Sequence, residues 1–104
     1  MANKKENAMI LMEEIIQGIE NVKGESIQKM DLRKIENTPF EFFVICSGNS
    51  NTQVSAIVNS IQKNVSKRLH EKPLHTEGLE MSEWVLIDYV NVVAVSYTHL
   101  TLPT

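Results

Sequence analysis

Two periodicities divide this chain. From about Lys5 to Val22, the residues Met9, Met12, Ile15, Ile16, Ile19 and Val22 recur at steps of three and four, which gathers apolar side chains on one side of an α-helix. The methionines on this stripe are read as core, and Gly24 marks the helix end. Ile27 to Leu32 is short and mixed, with Ile27, Met30 and Leu32 available for burial, and it predicts a strand. Residues 33–39 read as a loop, because Glu36-Asn37-Thr38-Pro39 collects turn formers and Pro39 biases Thr38 away from helix. The organising stretch comes next. Phe42, Phe43, Val44, Ile45 and Cys46 form a continuous run of aromatic and apolar side chains, as in a strand buried on both faces. Ser47-Gly48-Asn49 breaks that run. Ser50 stands three residues before Gln53, and Val54, Ile57, Val58, Ile61, Val65 and Leu69 follow at helical spacing, so Ser50 reads as the N-cap of a capping box. Ser47, Gly48, Ser50 and Gln53 thus form a structural strand-turn-helix motif, with Gly48 permitting the tight bend and Ser50 satisfying orphan N–H groups.

Beyond Leu69 or His70 the helix meets Pro73 and stops. Residues 74–77 suit a short strand and Gly78 a turn; Glu83-Trp84-Val85-Leu86-Ile87-Asp88-Tyr89 is a strong strand by its β-branched and aromatic content. Val92 to Val95 supply its partner through a tight hairpin at Val90-Asn91. The order helix, strand, strand, helix, strand, strand, strand predicts a single α/β domain with a mixed β-sheet flanked by helices.

Composition narrows the chemistry. The chain has 104 residues, enough for one core, with ordinary shares of apolar (42%) and charged (22%) residues. No apolar run approaches the roughly 20 residues of a spanning helix, and the start lacks the pattern of a secretory signal, so no membrane partner and a cytoplasmic location are expected. The single Cys46 cannot form an internal disulfide and reads as a small buried hydrophobe. A net charge of −3 argues against direct, sequence-specific grip on nucleic acid and leaves a basic protein surface as the better partner.

Several features together resemble the ribosomal silencing factor family, also called Iojap-like, over about Met9 to Ala94. They are the opening amphipathic helix, Asp31-Leu32, Phe43-Val44-Ile45 leading into Ser47-Gly48-x-Ser50-x-x-Gln53-Val54, Glu77-Gly78, and Glu83-Trp84-Val85-Leu86-Ile87-Asp88-Tyr89 before a valine-rich strand. The resemblance implies a non-enzymatic translation repressor with a nucleotidyltransferase-like topology that lacks the catalytic residues. It implies binding to the large ribosomal subunit through large-subunit protein fourteen, steric block of small-subunit joining, lower translation under nutrient limitation, and a role in large-subunit biogenesis. Relatives also pair, so a homodimer is a further expected partner. Two departures stand out. The hairpin has Val90-Asn91 where the family pattern has Gly-Asp, and residues 95–104 do not follow the family, so 1–94 reads as a truncated domain and 95–104 as a non-native tail.

Ser47-Gly48-Asn49-Ser50 after a strand superficially suits a phosphate at a helix N-terminus, which makes a nucleotide-binding or nucleotidyltransferase-like enzyme the alternative. That chemistry needs paired carboxylates for a divalent ion, and the later strand offers Asp88 alone. His70, His75 and His99 lack paired metal spacing, and Ser47 lacks evident His and acid partners. No catalytic residue, cofactor or metal is therefore assigned. Strand alternation puts Trp84, Leu86 and Asp88 on one face and Val85, Ile87 and Tyr89 on the other. Trp84 and Tyr89 as aromatic anchors, Leu86 beside them, and Glu77, Glu83 and Asp88 as an acidic rim form the expected ribosomal-protein contact.

Overall fold

The structure, a computed structural model, describes residues 4–98, with side chains from Asn7 onward. Its elements follow the expected order: α1 (Lys4–Asn21), β1 (Glu25–Asp31), β2 (Phe42–Gly48), α2 (Asn51–Leu69), β3 (His75–Glu77), β4 (Trp84–Asp88) and β5 (Val92–Thr98). Each helix ends for a local reason. After α1, Lys23 takes a left-handed conformation (φ 60°), its N–H reaches Glu20 O, and Gly24 N–H reaches Ile19 O at 2.9 Å, the paired bonds of a Schellman ending. Ser50 is extended and its Oγ accepts from Gln53 N at 3.1 Å, the first half of the capping box, while Gln53 Oε1 accepts from Asn49 N, one residue before the cap. The Gln53 amide also donates to Lys23 O at 3.2 Å, so the start of α2 holds the end of α1. His70, at φ 57°, closes α2 with Lys67 and Arg68 in the last turn, where cations suit the helix dipole.

The sheet order is β1-β2-β5-β4-β3, with β2 and β5 parallel and every other pair antiparallel. The last strand therefore occupies the centre. Alternation sends Phe42, Val44, Cys46, Val85, Ile87, Val92 and Ala94 into one core with Ile15, Ile19, Ile57, Ile61 and Val65 of the helices. The two helices lie together on that face, bonded by Ser60 Oγ to Gly18 O at 2.7 Å and Asn64 Nδ2 to Glu14 O at 2.7 Å. On the opposite face, where no helix lies among the described residues, Val93 is nonetheless buried. Phe43, Ile45, Leu86, Val95 and Tyr97 are half-buried there, and Met30 and Trp84 are exposed at its two sides. The expectation that β2 is buried on both faces is thus corrected: Phe43 and Ile45 look outward because the helices share one side.

Val95, Ser96, Tyr97 and Thr98 continue β5 in register with Ile45, Cys46, Ser47 and Gly48. The expected non-native tail from residue 95 therefore begins inside β5. Sheet pairing uses backbone groups, and alternation of Val95 and Tyr97 with the buried Ser96 suits the pleat. Residues 99–104, including His99, lie outside the described residues.

Candidate protein-recognition site

The chemistry-bearing turns sort themselves by what their polar atoms already do. Ser47 is buried and its Oγ donates to Glu25 O at 3.3 Å, which ties the start of β1 to the end of β2 and leaves no exposed hydroxyl. Gly48 ends β2 without a positive φ, and the chain turns at Asn49 and Ser50; a Cβ on Gly48 would stand 3.2 Å from Val54 N and Cγ2, so the residue allows close approach to the first turn of α2. Cys46 is buried beside Ser96, and desolvation pushes its thiol above the ordinary range. These residues build the scaffold. The exposed chemistry is elsewhere, around β3, β4 and the loop between them.

Trp84, 48% exposed, opens β4 on the uncovered sheet face, with Leu86 and Asp88 following on that face and Glu77 paired across from Leu86. Tyr89 departs from this group. It is 6% exposed and points into the helix-packed core with Val85 and Ile87, as its place in the alternation dictates. Its hydroxyl finds no hydrogen-bond partner among the described residues, and burial, with the nearby Glu71 charge, raises its pKa to about 12. Tyr89 is therefore removed from the exposed anchors. Asp88 is half-buried and one carboxylate oxygen already accepts from Val90 N at 2.7 Å, holding the β4–β5 turn. Glu77 pairs with His75 at 2.9 Å on the exposed edge strand. Glu83 is exposed, and its carbonyl accepts from Thr98 N at 2.9 Å, so β5 fixes its backbone.

The β3–β4 loop adds residues that strand periodicity does not reveal. Gly78 adopts φ 86°, and a Cβ there would collide with the Trp84 carbonyl, so only glycine suits this corner. Ser82 N donates back to Gly78 O at 3.0 Å and Ser82 Oγ to Leu79 O at 3.1 Å, while Asn51 Nδ2, from the first turn of α2, donates to Met81 O at 3.1 Å. This pinned loop and Trp84 enclose a cavity of about 510 Å³ lined by Thr76, Gly78, Leu79, Glu80, Met81 and Glu83. Met81 is 67% exposed and Leu79 is also exposed, apolar surface that the fold's own core does not use. Sequence reasoning missed both, and missed Asn51, because an irregular loop has no period to betray its facing side chains.

Among the described residues no cluster of three or more His, Cys, Asp or Glu side chains could hold a metal ion, and no helix is long and apolar enough to cross a membrane. What the surface presents is a two-layer α/β scaffold with an exposed aromatic side chain beside carboxylates around β3 and β4. Comparison with known proteins gives that class a family. The profile described as "Ribosomal silencing factor during starvation" matches residues 4–97. The Ribosomal silencing factor RsfS of Chromobacterium violaceum is 35% identical over 88 residues, covering 85% of this chain and 67% of that protein. The RsfS of Halalkalibacterium halodurans is 32% identical over 83 residues, covering 80% and 69%. A crystal structure of a C. violaceum protein superposes with a TM-score of 0.80 at 30% identity, covering 86% of this chain and 73% of its own; one from Bacillus halodurans gives 0.78 at 29%, covering 86% and 82%. The chain belongs to the ribosomal silencing factor family. These relatives are named as silencing factors, not for a reaction.

Proposed function

We propose that this chain acts in the cytoplasm as a non-enzymatic translation repressor, binding the large ribosomal subunit through large-subunit protein fourteen and obstructing small-subunit joining when nutrients are short. The observation that carries the reading is Trp84, large and half exposed on an uncovered sheet face next to acidic side chains. An aromatic anchor of this kind buries much area at low cost in side-chain freedom, and acid beside it favours a basic protein over RNA. Leu86 extends the apolar contact, and Glu77, Glu83 and the second carboxylate oxygen of Asp88 supply the rim. Homodimer formation through the same uncovered face would compete with ribosome binding, and participation in large-subunit assembly would use the same contact.

The test is co-sedimentation with purified large subunits, followed by a subunit-joining assay. Trp84→Ala should cost about 2 kcal/mol or more of binding and relieve the block on joining, with circular dichroism confirming the fold. Because Trp84 is outside the helix-packed core, its loss should leave stability nearly intact. A folded Trp84→Ala protein that binds and blocks as well as wild type would exclude this face. Wild-type chain without affinity for the large subunit would refute the reading as a whole.

A further inference from the structure

We propose that the cavity between the 78–83 loop and Trp84 is the specificity subsite of this surface, taking one apolar side chain flanked by lysine or arginine from an extended segment of a basic protein. The assignment of that segment to a ribosomal protein rests on the reading above; the chemistry of the subsite does not.

Three observations combine. The cavity, about 510 Å³, falls within the roughly 300–1,000 Å³ of clefts that enclose small ligands, enough for a side chain and its neighbour. Its apolar wall is Leu79, Met81 and Trp84, and the unbranched thioether of Met81 can adjust to aliphatic shapes. Its charged wall is Glu80 and Glu83, with no cation in the lining; among the described residues neither carboxylate is in an ion pair. An apolar pocket with two unpaired carboxylates at its mouth repels nucleic acid and anionic lipid surfaces. It favours an apolar residue with positive charge beside it.

The loop is also built before any partner arrives. Ser82 is buried, its N–H and hydroxyl bond Gly78 O and Leu79 O, Asn51 holds Met81 O, and β5 holds Glu83 O. A segment docking here meets a wall already ordered, so little of its binding free energy is lost in arranging the loop.

Trp84 is the chain's single tryptophan, so its emission reports on this cavity directly. The experiment titrates the full chain with two synthetic peptides sharing a central leucine, one flanked by Lys and Arg and the other by Glu, and runs purified large subunits in parallel. The basic peptide should shift Trp84 emission saturably and the acidic one should not. Glu80→Lys/Glu83→Lys should weaken the basic peptide at least about tenfold at low salt, a loss that shrinks at about 0.5 M salt as screening removes it. Met81→Ser should weaken it by about tenfold at either salt, since the apolar contribution is not screened. Equal response to both peptides, or a charge-reversed variant that binds the basic peptide like wild type, overturns the proposal. Large subunits binding wild type and all pocket variants equally, while Trp84→Ala fails, would overturn the subsite and keep the ribosomal reading. A wild-type chain that discriminates the peptides but ignores the large subunit would support the subsite and sink the ribosomal reading.

Discussion

Val90→Gly should make this protein more stable, and the β4–β5 turn shows why. Val90 sits at φ 79°, a conformation in which a β-branched side chain crowds its own backbone, and the residue after it donates back across it, Asn91 N to Tyr89 O at 3.0 Å, as in a strained three-residue turn. The surroundings impose this geometry. Tyr89 N bonds Val92 O at 2.9 Å, Asp88 accepts from Val90 N, and Asn91 O accepts from Glu41 N, so the turn is held from both strands and from the loop before β2. Such a residue stores on the order of 1–3 kcal/mol. Glycine releases it and costs about 0.5–1 kcal/mol in backbone entropy of the unfolded chain. Val90 is about half exposed, so only part of a full side-chain burial is lost with it. The net gain should be about 1 kcal/mol, which for a domain of this size raises Tm by about 4–8 °C. Urea unfolding should show a higher midpoint at unchanged slope, the mark of a change in stability and not in the extent of unfolding. An unchanged or lowered midpoint would refute the strain argument and mean that Val90 makes a contact of its own.

Three further outcomes follow from local geometry. Ser50→Ala should lose about 1 kcal/mol by leaving Gln53 N without its acceptor, with binding to large subunits reduced only as far as stability is; a much larger binding loss would place the cap in the interface. Asn51→Asp exchanges the donor to Met81 O for an acceptor while putting favourable negative charge in the first turn of α2, so amide exchange should quicken across residues 79–83 with Tm maintained or raised; unchanged exchange would show that the bond does not hold the loop. The Asp31 carboxylate accepts from the Arg33 guanidinium at 2.6 Å and from its N–H, which lowers its pKa from 3.8 to about 2. Because the folded value is depressed, this pair supports the fold above about pH 4 and is lost as pH falls through about 2; a carboxyl NMR titration should give that midpoint, and Arg33→Ala should return it to the ordinary range.

Much of the scaffold was legible because its signals are local. The three-and-four spacing of Met12, Ile15 and Ile19 places a helix whatever lies around it, and Ser50 with Gln53 marks the start of the next one within four residues. The position of β5 was not legible, since sequence order carries nothing about which strand takes the centre of a mixed sheet. Tyr89 shows the same limit at one residue. Alternation put it opposite Trp84, but only the packing of both helices on one side decides which face is core. The β3–β4 loop escaped for another reason: Leu79 and Met81 look like ordinary apolar residues until Gly78, Ser82 and Asn51 turn them outward.

The central place of β5 sets the order in which the sheet can be assembled. β1 and β2 can zip together early, as can β3 and β4, because each pair joins segments near in sequence. The two halves share no ladder except through β5, so Phe42 must wait for Val92 across the whole of α2, β3 and β4. Non-local closure of this kind is the slow step in folding. Until it happens, β2 carries an apolar edge with free N–H and C=O groups, a template for strands from other chains. Damage at β5 should therefore appear first as aggregation during refolding, before any loss of helix, whereas damage at β3 should trim one rim and leave the protein in solution.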